Sequence, residues 1–282
     1  MSRSDRVSGI GLWPASALVI GHTIAIGIFL TPAEVIGALA SPGLTLALWI
    51  ACGAAVLAGA LAFGELAARY PEAGGPYIYL REAWGERAAS LYGWQSLLVM
   101  DPGVTAALAT GLSQYLVIVW PAAAGGERWV AVAAIWTLSA VAAAGLTLSA
   151  RVLLAITVLK LLACGGVVAA AFAAAGGSLE HFQPFFARRL GAPPLGDALA
   201  AGLVSVFFAF GGFWEANRVA GEVDDARRTL PAALSIGVVV VTAVYLATTA
   251  AFIYLVPVGE VTSAAAFGRR AGQAMLGPAG PA

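Results

Sequence analysis

The sequence predicts an all-α integral membrane protein, and two observations support that fold class. Hydrophobic residues make up 60% of the 282-residue chain and charged residues 11%, with a mean hydropathy of +0.87, whereas a soluble domain carries about 25% charge. A helix needs ~20 mostly apolar residues to cross a bilayer, and only helices or closed barrels satisfy their backbone groups in lipid. Seven stretches reach that length, at about 11–36, 43–67, 88–119, 129–148, 152–175, 197–220 and 232–257.

The first stretch is predicted to be a retained helix rather than a signal peptide. Arg3 and Arg6 precede it, but it is too long and continues through residues 31–34 without a small-residue cleavage site. With the N-terminus in the cytoplasm, nine arginines fall in inside loops and five in outside loops, as the positive-inside rule favours. We therefore expect a multi-pass protein of the cytoplasmic membrane with a cytoplasmic N-terminus.

The first and sixth spans carry glycines at their centres, Gly21 and Gly27 in one and Gly211 and Gly212 in the other. Glycine costs ~1 kcal/mol in a helix interior, so these positions indicate either unwinding or close packing of small residues between helices. Two such interruptions, five helices apart, favour a transporter built from inverted repeats. Free N–H groups at one break suit a carboxylate and free carbonyls suit an ammonium, which together describe a site for a zwitterion.

Lys160 is the only lysine of the chain and lies in an apolar run. A charge at that depth costs at least ~2.5–3.5 kcal/mol on insertion scales, so it needs a partner or a wet cavity, unless the side chain reaches the surface. Asp101, in the third span, is either a partner of Lys160 or of substrate, or a polar cap where Pro102 frees backbone groups. For Glu215 we expect a gate or packing role, and for His22 a hydrogen bond to a freed carbonyl or titration near neutral pH.

Several classes of function are disfavoured. Fifteen acidic and fifteen basic residues give a net charge of zero, which does not suggest a nucleic-acid partner. Cys52 and Cys164 are expected to pack as small apolar residues, and His22 and His181 are too few and too far apart for a metal site. We expect no metal, no cofactor and no catalytic residues, and therefore not an enzyme.

Five segments in order carry a resemblance to a known family. They are residues 21–32, residues 64–85, residues 149–162, residues 182–186 and residues 207–231. The segments resemble, in turn, the first helix, the link between helices two and three, helix five, the following external loop, and helix six with its exit in amino acid permeases of the amino acid–polyamine–organocation (APC) superfamily. The resemblance covers nearly the whole chain.

The resemblance implies a five-plus-five inverted-repeat fold, the LeuT-like fold, with helices 1 and 6 discontinuous. On that pattern residues 1–176 form the first repeat, 177–196 an external loop, 197–257 the start of the second repeat, and 258–282 a tail leading to helix 8. We expect the chain to be truncated after helix 7, as a fragment or as a natural short protein.

The resemblance also implies the roles of individual residues. The backbone N–H groups around Ala25, Ile26 and Gly27 would hold the substrate carboxylate, although the family usually has a smaller residue at the position of Ile26. The carbonyls that would take the amino group are those of Thr23, Ile24, Phe208, Ala209 and Phe210. Phe210 would act as a gate. The small residues Gly211 and Gly212 leave room in the expected pocket, which favours a medium or large neutral amino acid.

Lys160 matches a helix-five lysine that, in sodium-independent members of the superfamily, occupies the place of a coupling sodium ion. It would bond carbonyls near Gly21. If Lys160 loses its proton during the cycle, it couples transport to protons; if it stays charged, the protein is an exchanger or facilitator.

The expected function is therefore secondary transport of an amino acid, with the substrate, the lipid bilayer and in one variant protons as partners. One alternative is a shortened, non-transporting membrane partner or binding subunit. A remote alternative is a seven-helix retinal protein, which the position of Lys160 in the fifth span disfavours. Oligomeric state is left open.

Overall fold

The computed structural model describes residues 9–24, 27–174 and 176–261, and confirms the all-α fold class. Its helices are α1 Leu12–Thr23, α2 Gly27–Leu39, α3 Pro42–Arg69, α4 Pro76–Trp84, α5 Glu86–Gln95, α6 Asp101–Val119, α7 Glu127–Ala143, α8 Leu146–Ala173, α9 Leu195–Ala209 and α10 Ala226–Leu255. A π-helical turn, Ser96–Met100, joins α5 to α6. Short 3-10 helices occupy Pro121–Ala123, Leu179–Phe182, Phe213–Glu222 and Val258–Glu260. We call Phe213–Glu222 the exit segment.

Within the described residues, five helical stretches are long and apolar enough to cross a membrane. They are Pro42–Arg69, Glu86–Gln114, Leu148–Ala173, Leu195–Glu222 and Ala226–Leu255. The first predicted stretch is divided between α1 and α2, of 12 and 13 residues. The predicted sixth span is divided between α9 and the exit segment. Both predicted discontinuities are therefore present.

The centre of the molecule is the packing of α3 against α10, with α1 lying on α10 and α8. Small residues permit the close approach that drives helix association in lipid: a Cβ on Gly64 of α3 would lie 2.9 Å from Pro231 Cα of α10. The fully buried side chains include Val19, Trp49 and Tyr245. In contrast, α7 contacts α6 and α8 but has no fully buried residue among those described.

Backbone hydrogen bonds at the two ends of the bundle join segments that are distant in sequence. At one end, the Ile10 N–H donates to the Glu222 carbonyl over 2.9 Å, which joins the start of the chain to the end of the exit segment. At the other end, the Gly43 N–H donates to the Phe185 carbonyl over 2.7 Å. Ser41 accepts from the Leu44 N–H at the start of α3, a typical N-cap.

The loop between α8 and α9 also closes the end of α2. Arg188 Nε donates to the Leu39 carbonyl over 3.0 Å, and its Nη2 donates to the Pro193 carbonyl over 2.6 Å. A cation is favourable at a helix C-terminus, where the last carbonyls have no intrahelical partner. The loop between α8 and α9 is therefore fixed to the second half of the first predicted span.

Candidate functional site

The first break begins where α1 ends at Thr23. Ile24 leaves the helix with φ −75° and ψ 96°, and its N–H makes a last helical bond of 2.8 Å to the Ile20 carbonyl. The last carbonyls of a helix have no intrahelical partner, so those near Thr23 are available to other groups. Ala25 and Ile26 lie outside the described residues, and Gly27 is the first residue of α2.

Lys160 of α8 supplies the donors for this break. Its Nζ lies 3.0 Å from the Gly21 carbonyl and 2.9 Å from the Ile24 carbonyl. An ammonium at the C-terminus of a helix interacts favourably with the helix dipole. The structure thus joins the half-buried lysine to the end of α1.

Thr157, one turn before Lys160, holds α8 against α1. Its hydroxyl donates to the Leu153 carbonyl over 2.8 Å and lies 3.4 Å from the Ala17 carbonyl. A Cβ placed on Gly21 would collide with this hydroxyl. Gly21 is therefore needed for the close contact that brings its carbonyl to Lys160.

The second break lies between α9 and the exit segment. Ala209 ends α9, and Gly212 adopts a left-handed conformation with φ 96°, which favours glycine. A Cβ on Gly212 would lie 2.9 Å from the His22 carbonyl. The two breaks consequently face each other at close range.

Tyr245 of α10 bridges the two breaks. Its hydroxyl lies 3.0 Å from the Thr23 carbonyl and 2.7 Å from the Ala209 carbonyl. Since a phenol has one proton, the two carbonyls share it. The ring packs 4.9 Å from Trp49 and 5.2 Å from Phe210 between ring centroids.

Most of the carbonyls assigned to the substrate amino group already accept a hydrogen bond. Thr23 and Ala209 accept from Tyr245, Ile24 accepts from Lys160, and Phe208 accepts from the Gly211 N–H over 3.0 Å. A carbonyl has two lone pairs, so each of them retains a second acceptor position.

The two phenylalanines of this break, Phe208 and Phe210, differ in their exposure to the surroundings. Phe210 is 1% exposed and packs edge-on to Tyr245 and to Trp49, whereas Phe208 is 80% exposed. Phe210 is thus part of the aromatic cluster beside the breaks.

Four further polar residues, Asp101, Glu215, His22 and Glu65, have partners other than Lys160. Asp101 and Glu215 both pair with Arg218, so Asp101 contacts a residue other than Lys160. His22 Nδ1 lies 2.9 Å from the Leu18 carbonyl within α1. Glu65 forms an exposed pair with Arg69, 3.0 Å apart and one helical turn away.

Comparison with known proteins identifies the family of the chain. The family described as amino acid permease matches residues 10–280. The chain belongs to the amino acid permease family.

Three curated relatives show how this permease compares with longer proteins. It is 31% identical to the Asc-type amino acid transporter 1 of Mus musculus, over 97% of the chain and 53% of that protein. It is 29% identical to the b(0,+)-type amino acid transporter 1 of Mus musculus, over 96% of the chain and 56% of that protein. It is 29% identical to the human large neutral amino acids transporter small subunit 2, over 95% of the chain and 51% of that protein. The chain spans about half the length of the curated relatives it matches.

Tyr245 and Trp49 of the permease were not among the residues singled out from the sequence. Both lie inside long apolar runs, where they look like ordinary packing residues. One signal was available for Tyr245, because a buried tyrosine usually finds a hydrogen-bond partner for its hydroxyl. Its partners are backbone carbonyls on two other helices, and no sequence pattern specifies them.

Proposed function

We propose that this permease binds an amino acid zwitterion at the two facing breaks and carries it across the cell membrane without sodium. The observation that carries the proposal is the convergence of Lys160 and Tyr245 on the carbonyls of Ile24, Thr23 and Ala209. Broken helices in corresponding positions are typical of substrate sites in transporters with inverted repeats.

In this proposal the start of α2 holds the substrate carboxylate. The first N–H groups of a helix have no intrahelical partner and lie at the positive end of its dipole, so those of Ala25, Ile26 and Gly27 suit an anion. The substrate ammonium takes the carbonyls that follow α1 and α9, namely those of Thr23, Ile24, Phe208, Ala209 and Phe210. Phe210 closes over the bound substrate, and Gly211 leaves space for its side chain.

Lys160 takes the role of a coupling cation. Its Nζ lies within hydrogen-bond distance of the Gly21 and Ile24 carbonyls, the type of oxygen ligand that a sodium ion would need. Two mechanisms follow: proton-coupled transport if the lysine deprotonates during the cycle, and exchange or facilitated transport if it stays charged.

The proposed organisation follows the inverted-repeat pattern. Residues 1–176 form the first repeat, 177–196 the external loop, 197–257 the start of the second repeat, and 258–282 the tail toward an eighth helix. The N-terminus lies in the cytoplasm. The names of the relatives, which include a transporter of large neutral amino acids, make neutral amino acids the first substrates to test.

A screen for thermal stabilisation by each of the twenty amino acids tests binding by the purified 282-residue chain. A ligand that binds only the folded state raises the melting temperature, with about 2.7 kcal/mol of stabilisation at a hundredfold excess over Kd. We expect a selective shift with one class of neutral amino acid, and uptake of that amino acid into proteoliposomes in sodium-free buffer. The absence of any shift would contradict the proposed site.

Lys160→Ala tests the role of the lysine, with Leu159→Ala as its matched control. Leu159 precedes Lys160 in the sequence and is 67% exposed, so its truncation leaves the break untouched. We expect Lys160→Ala to abolish the stabilisation by amino acids and Leu159→Ala to retain it. Unchanged binding by Lys160→Ala across the pH range would refute both proposed roles of Lys160.

The same assays separate transport from binding alone. Stabilisation by an amino acid without uptake into proteoliposomes would favour the second candidate function, that of a binding subunit or partner of another membrane chain.

A further inference from the structure

A second charged cluster lies away from the two breaks and is centred on Arg218 of the exit segment. Its Nη1 lies 2.9 Å from Asp101 Oδ2 and its Nη2 lies 3.2 Å from Asp101 Oδ1, so the pair is bidentate. Its Nε lies 2.8 Å from Glu215 Oε2. All three guanidinium nitrogens are therefore engaged with carboxylates, the arrangement in which arginine pairs most strongly.

Ser96 completes the cluster on the side of the predicted third span. Its hydroxyl accepts from Arg218 Nη2 over 3.2 Å and donates to Asp101 Oδ2 over 3.0 Å. Ser96 and Asp101 lie immediately at the two ends of the π-helical turn Ser96–Met100. Such turns inside longer helices are frequent at functional sites, and this one aligns both side chains toward a single arginine.

The exit segment is connected to α1 by backbone contacts. Ile10, at the start of α1, exchanges hydrogen bonds with Glu222 and Asp224, of 2.9 and 3.0 Å. The exit segment also packs along α1. These contacts join the ends and the sides of α1 and the exit segment, which we refer to together as one unit. Both elements also pack on α10.

The Asp101–Arg218 pair ties this unit to α6. Its two residues are 117 positions apart in sequence, whereas Glu65–Arg69, Glu215–Arg218 and Asp225–Arg228 each lie within one helical turn. The Arg218 carbonyl also accepts from the Gly74 N–H over 2.9 Å, but that bond does not involve the side chain. The guanidinium is thus the charged part of the connection.

The exposure of the pair suits an interaction that opens and closes. The side chains of Arg218 and Asp101 are 30% and 46% exposed. A fully buried pair is costly to separate, because it leaves two unpaired charges, and a fully exposed pair contributes less than about 1 kcal/mol. Arginine does not lose its charge in proteins, so deprotonation of Arg218 does not release the tie.

We propose that Arg218 is a conformational latch that holds α1 and the exit segment against α6. Release of Arg218 from Asp101 lets this unit move away from α6 and opens the facing breaks on that side. Only the role of the latch in transport rests on the proposed function, because opening of the breaks would matter for a transporter. Its existence is a property of the fold and is measurable without substrate.

Three substitutions in the full 282-residue chain test the latch by hydrogen–deuterium exchange in nanodiscs. Arg218→Gln removes every ionic contact of the cluster. Asp101→Asn weakens only the contact between Arg218 and α6, and it leaves the Glu215–Arg218 pair in place. Glu215→Gln is the matched control, because it removes one carboxylate as Asp101→Asn does but leaves the tie to α6 intact.

We expect amide exchange in the exit segment to rise roughly three- to tenfold in Arg218→Gln and Asp101→Asn, in which tenfold corresponds to about 1.4 kcal/mol. Exchange in α10 should stay unchanged in both. Exchange in the exit segment of Glu215→Gln should stay within about twofold of the unmodified chain, because the Glu215–Arg218 pair lies inside the exit segment and does not join it to α6.

Two results would overturn the latch. One is unchanged exchange of the exit segment in Arg218→Gln and Asp101→Asn. The other is an equal rise in the exit segment and in α10, which is the signature of a general loss of stability. The test does not depend on substrate: an absence of stabilisation by amino acids would count against the proposed function and leave the exchange result standing.

Discussion

Gly21 shows how a single missing side chain determines the geometry of the lysine contact. A Cβ at this position would collide with the Thr157 hydroxyl, while the Thr157 Cβ would stay at 3.5 Å, an ordinary contact distance. Overpacking of this kind costs about 1–3 kcal/mol. The Gly21→Ala variant is therefore expected to lose about that much free energy of unfolding.

A double-mutant cycle with Thr157→Ala checks this expectation by SDS titration in mixed micelles. In the Thr157→Ala background the hydroxyl is absent, so Gly21→Ala should be tolerated at less than about 1 kcal/mol, and the coupling energy should be of the size seen between contacting residues. Additive effects of the two substitutions would show that the Thr157 hydroxyl does not determine the need for glycine.

At the residue scale, the sequence was most informative where a residue type was out of place. A single lysine in an apolar run predicts a polar partner because the cost of an isolated charge is high, and its Nζ lies within 3.0 Å of two carbonyls. The aromatic cluster of Trp49, Phe210 and Tyr245 could not be predicted in the same way, since aromatic residues are ordinary in membrane helices.

At the scale of elements, the two breaks depend on backbone conformation. Gly212 has a φ of 96°, and a Cβ there would lie 2.9 Å from the His22 carbonyl. A left-handed conformation costs an L-residue about 1–2 kcal/mol, and the contact adds to that cost. We expect Gly212→Ala to lower the free energy of unfolding by at least about 1 kcal/mol and to separate the two breaks.

Gly166→Ala is the control for Gly212→Ala. Gly166 lies inside α8, and a Cβ there meets no atom within 4 Å. Alanine is favoured over glycine in a helix interior by up to about 1 kcal/mol, so this variant should be neutral or slightly more stable in the same SDS titration. Equal destabilisation by the two substitutions would contradict the special role of Gly212.

The breaks were predictable as elements because glycines in the middle of an apolar span disfavour a continuous helix. The backbone form of each break could not be predicted from these glycines. The sixth span does not resume as an α-helix after Gly212; it continues as the 3-10 exit segment with a kink at Val219. That form reflects tertiary contacts, including the hydrogen bonds of Ile10 with Glu222 and Asp224, which the local sequence does not specify.

At the scale of the whole molecule, the contacts define two opposite ends. Ile10 and Gly74 join the region of residues 218–224 at one end. At the other end, Ala40 and Gly43 join residues 185–189, and Ser178 bonds to the Tyr254 carbonyl. The distribution of arginines predicts that the first end is cytoplasmic, and it therefore predicts an external loop between α8 and α9.

Cysteine labelling from each side of the membrane measures that orientation. Both native cysteines are buried, so background labelling by a membrane-impermeant maleimide should be low. Leu190, which is 97% exposed in the loop between α8 and α9, and Glu86, which is exposed at the start of α5, provide one position near each end. Leu190→Cys should react in intact cells, and Glu86→Cys only after the membrane is permeabilised. The reverse pattern would place the N-terminus outside, and would mean that nine arginines against five do not determine the orientation of this chain.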